Sequence, residues 1–118
     1  MENLKIWKEN YAVMNSKRIY EDAFANIDDG KELTVIIEQN KINEKDIIEI
    51  EKDWRLITFD VKLDFNLVGF IFQISSALAE VNISIFVISS YSTDHIIVKK
   101  KDLDKIIKIL KNLKINAK

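Results

Sequence analysis

His95 is the only histidine of the chain, and it follows directly on Ser90-Tyr91-Ser92-Thr93-Asp94, a run that holds the residue types of a hydrolytic centre. A Ser-His-Asp relay needs the carboxylate on one ring nitrogen and the hydroxyl on the other. The residues around His95 are β-forming, and neighbours in a strand project to opposite faces, so Asp94 is poorly placed to orient the ring. The chain has no cysteine and therefore no thiolate nucleophile. We expect no catalytic residue here, and a His95 that faces solvent or is held by hydrogen bonds. Asp60, Asp64 and Asp94 could meet at one end of a sheet. Without a histidine cluster or a repeated Asp spacing they do not make a metal site, so neither metal nor cofactor is expected.

The same residues serve binding better than turnover. A helix is expected from about Leu67, and free backbone N–H groups at a helix start attract carboxylates. Gly69 would let a ligand approach the main chain, although it could equally be a packing glycine. Asp94, at the start of a strand, can pair with an ammonium or guanidinium group or simply cap the Ser92-Thr93 turn. Together these suggest a crevice for a zwitterion. The ligand carboxylate would lie on the amides of Asn66, Leu67, Val68 and Gly69 beside Asp64, and its cationic group would face Asp94.

Those residues must be carried on a definite set of elements. Leu4–Lys8 and Tyr11–Asn15 read as a hairpin across Glu9-Asn10, and Ser16–Asp22 as a helical turn. Asp28-Asp29-Gly30-Lys31 is a stronger turn signal between two further apolar runs, since Gly accepts the positive φ of a tight turn. The charge-dense stretch Asn40–Asp53 reads as a connector with one helical turn and as the one internal boundary. From Trp54 to Leu63 polarity alternates, with Arg55, Ile57, Phe59, Val61 and Leu63 on the face to be buried. Leu67, Ile71, Ile74, Leu78 and Val81 then form a helical stripe. Val68, Phe72 and Ala79 widen its apolar surface, which calls for a cover from the N-terminal half or from a second subunit in a homodimer. Asn82 suits a left-handed helix end. Ile83–Tyr91 and Asp94–Lys99 read as an antiparallel pair. A last helix starts at Asp102, with Lys114–Lys118 as a short edge strand or a frayed end. The order strand, helix, strand, strand, helix is that of a ferredoxin-like α+β sheet.

Composition bounds the partners. With 118 residues, 47% hydrophobic and 31% charged, the chain is the size of one compact unit or two very small ones sharing a core. A net charge of −1 gives no general attraction to nucleic acid or an anionic membrane. The lysines from Lys99 onward read as the solvated side of the last helix. The start resembles no signal peptide, and charges interrupt every apolar run, so we expect a cytoplasmic protein with no membrane span.

Leu63-Asp64-Phe65-Asn66-Leu67-Val68-Gly69, then Ile74–Glu80, then Asn82-Ile83-Ser84-Ile85-Phe86-Val87 through Asp94-His95 to Lys99, resembles the ACT domain. The branch in question includes the cytosolic arginine sensors and many short bacterial proteins. The resemblance is strong in the second half and holds only in outline in the first. It implies a βαββαβ ACT domain over 53–118 and a degenerate ACT-like module over 1–52 packed beside it. It also implies a noncatalytic amino-acid-binding regulatory module, the alternative being an interaction or dimerisation module with no ligand. Gly69, Ser90, Tyr91 and Asp94 are the positions that carry over as ligand contacts. The helix start, Phe70-Ile71-Phe72, lacks an acidic side chain, which leaves room for a more apolar amino acid than arginine.

Overall fold

The computed structural model describes residues 4–59 and 70–113. Among them the strands are β1 (Leu4–Ile6), β2 (Tyr11–Ser16), β3 (Ala25–Asp28), β4 (Leu33–Glu38), β5 (Ile47–Phe59), β6 (Ile85–Ser89) and β7 (Asp94–Lys99), with helices α1 (Phe70–Ala79) and α2 (Leu103–Asn112). They fall into two compact units, Glu9–Trp54 and Met1–Lys8 with Arg55–Lys118; β5 contributes its first part to the one and its last part to the other.

The unit Glu9–Trp54 is all β, with strand order β3-β4-β2-β5 and antiparallel pairing throughout. Its β3–β4 hairpin turns at the expected Asp-Asp-Gly-Lys. Gly30 has φ +87°, and the Asp28 and Asp29 carboxylates accept backbone N–H groups from Gly30, Lys31 and Glu32 at 2.9 Å. Met14, Tyr20, Val35 and Ile37 make the core, with Ile42, Ile47 and Ile50 packed against it. A polar knot closes one side. Asp46 accepts from the Tyr20 hydroxyl at 2.6 Å and from Arg18 Nε at 2.9 Å, and the Tyr20 hydroxyl in turn accepts the Asn43 amide at 3.0 Å. The segment after Ser16 is therefore held by side chains in bends and turns, where a helical turn was expected.

Two other expectations are corrected in this region. The first runs do not form a hairpin: β1 pairs with β5, whereas β2 pairs with β4 and β5. Glu9-Asn10 lacks the glycine that the favoured two-residue hairpin turns carry. Leu4 and Ile6 instead find apolar partners around Ile57 and Phe59. The stretch after Asn40 is not a connector throughout, because short 3-10 turns at Gln39–Lys41 and Glu44–Asp46 lead into β5 at Ile47. Its carboxylates, Glu49 and Glu51, are exposed while Ile47 and Ile50 lean on the core, so one solvated face hid the strand. Between the pairs Val13↔Glu51 and Tyr11↔Trp54 the register slips by one residue, and Asp53 takes φ +64° there. That is a β-bulge.

The other unit has strand order β1-β5-β7-β6. Ile57 and Phe59 of β5, Ile96 and Val98 of β7, Ile74 and Leu78 of α1, and Ile106 and Leu110 of α2 form one buried cluster. Both helices thus lie on one face of the sheet, as a ferredoxin-like fold requires. Each such side chain contributes about 1.5–3 kcal/mol on full burial. The place beside β5 that a closing strand would take is filled by β1, antiparallel in the register Leu4↔Phe59, Lys5↔Thr58, Ile6↔Ile57. The alternative closing strand, Lys114–Lys118, lies outside the described residues, as do Val61, Leu63 and the expected helix start Leu67–Gly69. Asn82 ends α1 with φ +59°, the left-handed cap expected of it. Asp102 precedes α2 as the last residue of a 3-10 turn and makes no side-chain cap bond, because the tighter turn from Lys100 leads straight into the helix. Leu56 is as fully buried as Ile57, so the strand is covered on both faces rather than one. Phe72, for which a cover was expected, is 73% exposed.

Candidate functional site

Of the residues expected to bind a ligand, Asp64, Asn66, Leu67, Val68 and Gly69 lie outside the described residues. Ser90, Tyr91 and Asp94 are brought together in the connection between β6 and β7. This connection is tight because Ser89 and Asp94 are cross-strand partners and the Ser90 amide donates to the Thr93 carbonyl at 2.9 Å. The Ser89 hydroxyl donates to Asp94 Oδ1 at 2.5 Å, so the half-buried carboxylate is held from its own strand pair. The Ser90 hydroxyl donates to the Thr93 carbonyl at 3.1 Å. Tyr91 projects from the turn, 85% exposed.

His95, the next residue, is buried at 8% exposure and belongs to a line of hydrogen bonds that crosses the sheet. Trp7 Nε1 donates to Thr58 Oγ1 at 2.8 Å, Thr58 Oγ1 lies 2.8 Å from His95 Nδ1, and His95 Nε2 lies 3.2 Å from Ser90 Oγ. Burial pulls the His95 pKa below the ordinary histidine value, with Asp94 opposing that shift less strongly. Of the two settings expected for this residue, the hydrogen-bonded one is found. Its partner Thr58, and Trp7 beyond it in the line, were not foreseen, since the pairing that brings β1 and β5 together is absent from the local pattern.

The other unit holds a cleft of about 240 Å³ lined by Glu9, Asn10, Glu38, Gln39 and Asn40. Lys41 pairs with Glu38 at 3.0 Å. Burial, with Glu38 and Glu9 adding to it, pushes the Tyr11 hydroxyl up to about 12. The pairing Tyr11↔Glu38 assembles this acidic rim, and only the register could have revealed it. Among the described residues no group of three or more His, Cys, Asp or Glu is arranged to hold a metal ion, and no helix is long and apolar enough to cross a membrane.

A four-stranded sheet with two helices on one face and a polar turn leading into an inner strand defines a ferredoxin-like α+β module. The family model described as ACT domain matches residues 49–112, more than half of the chain. The chain belongs to the ACT domain family. Among solved structures it is similar to a protein from Agobacterium tumefaciens at 25% identity and TM-score 0.81, covering 92% of this chain and 86% of that one. A Vibrio cholerae protein of unknown function, described as a possible transport protein, matches at 24% identity and TM-score 0.77 over 92% and 86%. The ligand-free regulatory subunit of aspartate kinase from Thermus thermophilus matches at 8% identity and TM-score 0.64 over 92% and 95%, a likeness of fold alone. No curated protein sequence matches the chain significantly.

Proposed function

We propose that the chain is a noncatalytic regulatory module that binds a small molecule, an amino acid, at the turn between β6 and β7. The observation that carries this reading is the Asp94 carboxylate, fixed by Ser89 at the mouth of the turn in an ACT fold and suited to an ammonium or guanidinium group. The backbone amides of Asn66, Leu67, Val68 and Gly69, with Asp64, would receive the ligand carboxylate. Residues 53–118, with β1 added to their sheet, would be the ACT domain, and the remainder of 1–52 a degenerate ACT-like partner module. The likeness to an aspartate kinase regulatory subunit supports a regulatory role, and a cytoplasmic setting suits sensing of a metabolite.

A thermal-shift screen of all proteinogenic amino acids tests this. A ligand at a hundredfold excess over its Kd should add about 2.7 kcal/mol of stability. A screen without a hit would sink the proposal. For a hit, Asp94→Ala should weaken binding at least tenfold, as expected of a lost charge-assisted bond.

A homodimerisation module without ligand is the second reading, favoured by one feature. Phe86 and Val87 of β6 are 44% and 42% exposed, Phe72 of α1 is 73% exposed, and β6 ends the strand order. A dimer in sedimentation that Val87→Lys dissociates, in a protein indifferent to every amino acid, would favour it.

A further inference from the structure

We propose that His95 is the positioning residue of the proposed ligand turn: as the neutral imidazole with its hydrogen on Nε2, it holds the Ser90 hydroxyl onto Thr93 and ties that turn, through Thr58, to Trp7 just after β1. This deepens the proposed function and rests on it for the meaning of the turn, but not for the geometry.

The valences set the direction of the hydrogen bonds. An indole nitrogen can only donate and a carbonyl oxygen can only accept. At one end Trp7 Nε1–H therefore donates to Thr58 Oγ1. At the other, Ser90 Oγ spends its single hydrogen on the Thr93 carbonyl, so towards His95 Nε2 it can only accept. Nε2 must then carry the hydrogen. In the neutral ring Nδ1 is left as an acceptor, and the Thr58 hydroxyl donates to it. A protonated ring would present a second donor to Thr58 Oγ1, and the Thr58 hydrogen would lose Nδ1 as its acceptor. The bonds thus select the neutral form, in the same direction as burial.

The charged groups around the ring are few among the described residues. Asp94 adjoins it in sequence and favours the cation. Lys5, the cross-strand partner of Thr58, places its ammonium 3.7 Å from the Trp7 ring centroid. β6 contributes uncharged Ile88 as the cross-strand partner of His95. Asp60, next in sequence after β5, lies outside the described residues.

The single histidine makes the test direct. Long-range proton–nitrogen NMR of the ligand-free 15N-labelled chain across pH 5–8 should find the Nε2–H tautomer at neutral pH. Its titration midpoint should lie below the ordinary 6.5. At that midpoint the Trp7 indole N–H should shift, because a second donor on Nδ1 then competes for Thr58 Oγ1, while the Nε2–H bond to Ser90 persists. Thr58→Val should uncouple the Trp7 resonance from the titration, and Thr58→Ser should restore it. An Nδ1–H tautomer, or a His95 titration that leaves the Trp7 indole N–H unmoved, overturns the proposal in the wild-type protein without any variant having to fold. Because no ligand is present, an empty amino-acid screen overturns the proposed function alone, and a screen hit beside an uncoupled His95 overturns this inference alone.

Discussion

Asp46 shows how one carboxylate can organise an irregular segment. It is only 6% exposed, yet the Tyr20 hydroxyl and Arg18 hold its pKa below the usual aspartate value. Arg18 also stacks 3.9 Å from the Tyr20 ring centroid. Tyr20→Phe keeps the ring and removes the hydroxyl, leaving the Asn43 amide and one Asp46 bond without that partner. We predict a loss of about 1–2 kcal/mol, read as a lower urea midpoint at unchanged slope. The pH dependence follows from lowered values in two windows, that of His95 and the more acid one that Asp46 shares with Asp29. For His95, the unfolded chain takes up a proton from about pH 6.5 downward while the folded chain resists, so stability should decline below pH 6.5. For Asp46, the unfolded carboxyl protonates near 3.8 before the folded one, giving a second decline below about pH 4. Urea titrations at half-unit pH intervals should resolve both, and His95→Gln should abolish the first. Little of this was legible in advance. Asp94 was singled out from its place beside the Ser92-Thr93 turn and Ser90 through the family resemblance, but Trp7, Thr58, Tyr20 and Asp46 act across pairings that no local spacing encodes.

At the scale of elements, legibility followed periodicity. The Asp-Asp-Gly-Lys hairpin, the α1 stripe around Ile74 and Leu78, the left-handed Asn82 and the β6–β7 pair were all visible, because each is written into adjacent residues. β5 was visible only from Trp54 onward, because Glu49, Glu51, Lys52 and Asp53 are all exposed and the first half, up to the bulge at Asp53, reads as a polar connector. The bulge should be sensitive to chemistry at its pivot. Asp tolerates a positive φ and a β-branched residue does not. Asp53→Val should therefore cost about 1–2 kcal/mol while Asp53→Gly is nearly neutral, a contrast that paired thermal melts would expose. Equal losses in the two variants would show that the strand, rather than the backbone angle, sets the cost.

For the whole molecule the decisive pairing is β1 with β5. Leu4 and Ile6 pack on the cluster that both helices share, so the ACT unit draws on residues from opposite ends of the chain. Ile6→Ala should cost about 1–2 kcal/mol, less than a fully buried site, and should lower hydrogen-exchange protection at Ile57 and Phe59 more than in the strands of Glu9–Trp54. Uniform loss of protection would mean that the two units open as one.

A ribosome would release that first strand long before the surface that receives it. Leu4 has nowhere to dock until Phe59 is made, and the floor beneath both is unfinished until α2 arrives. β1 therefore stays unpaired during synthesis at least until its partner stretch of β5 is made.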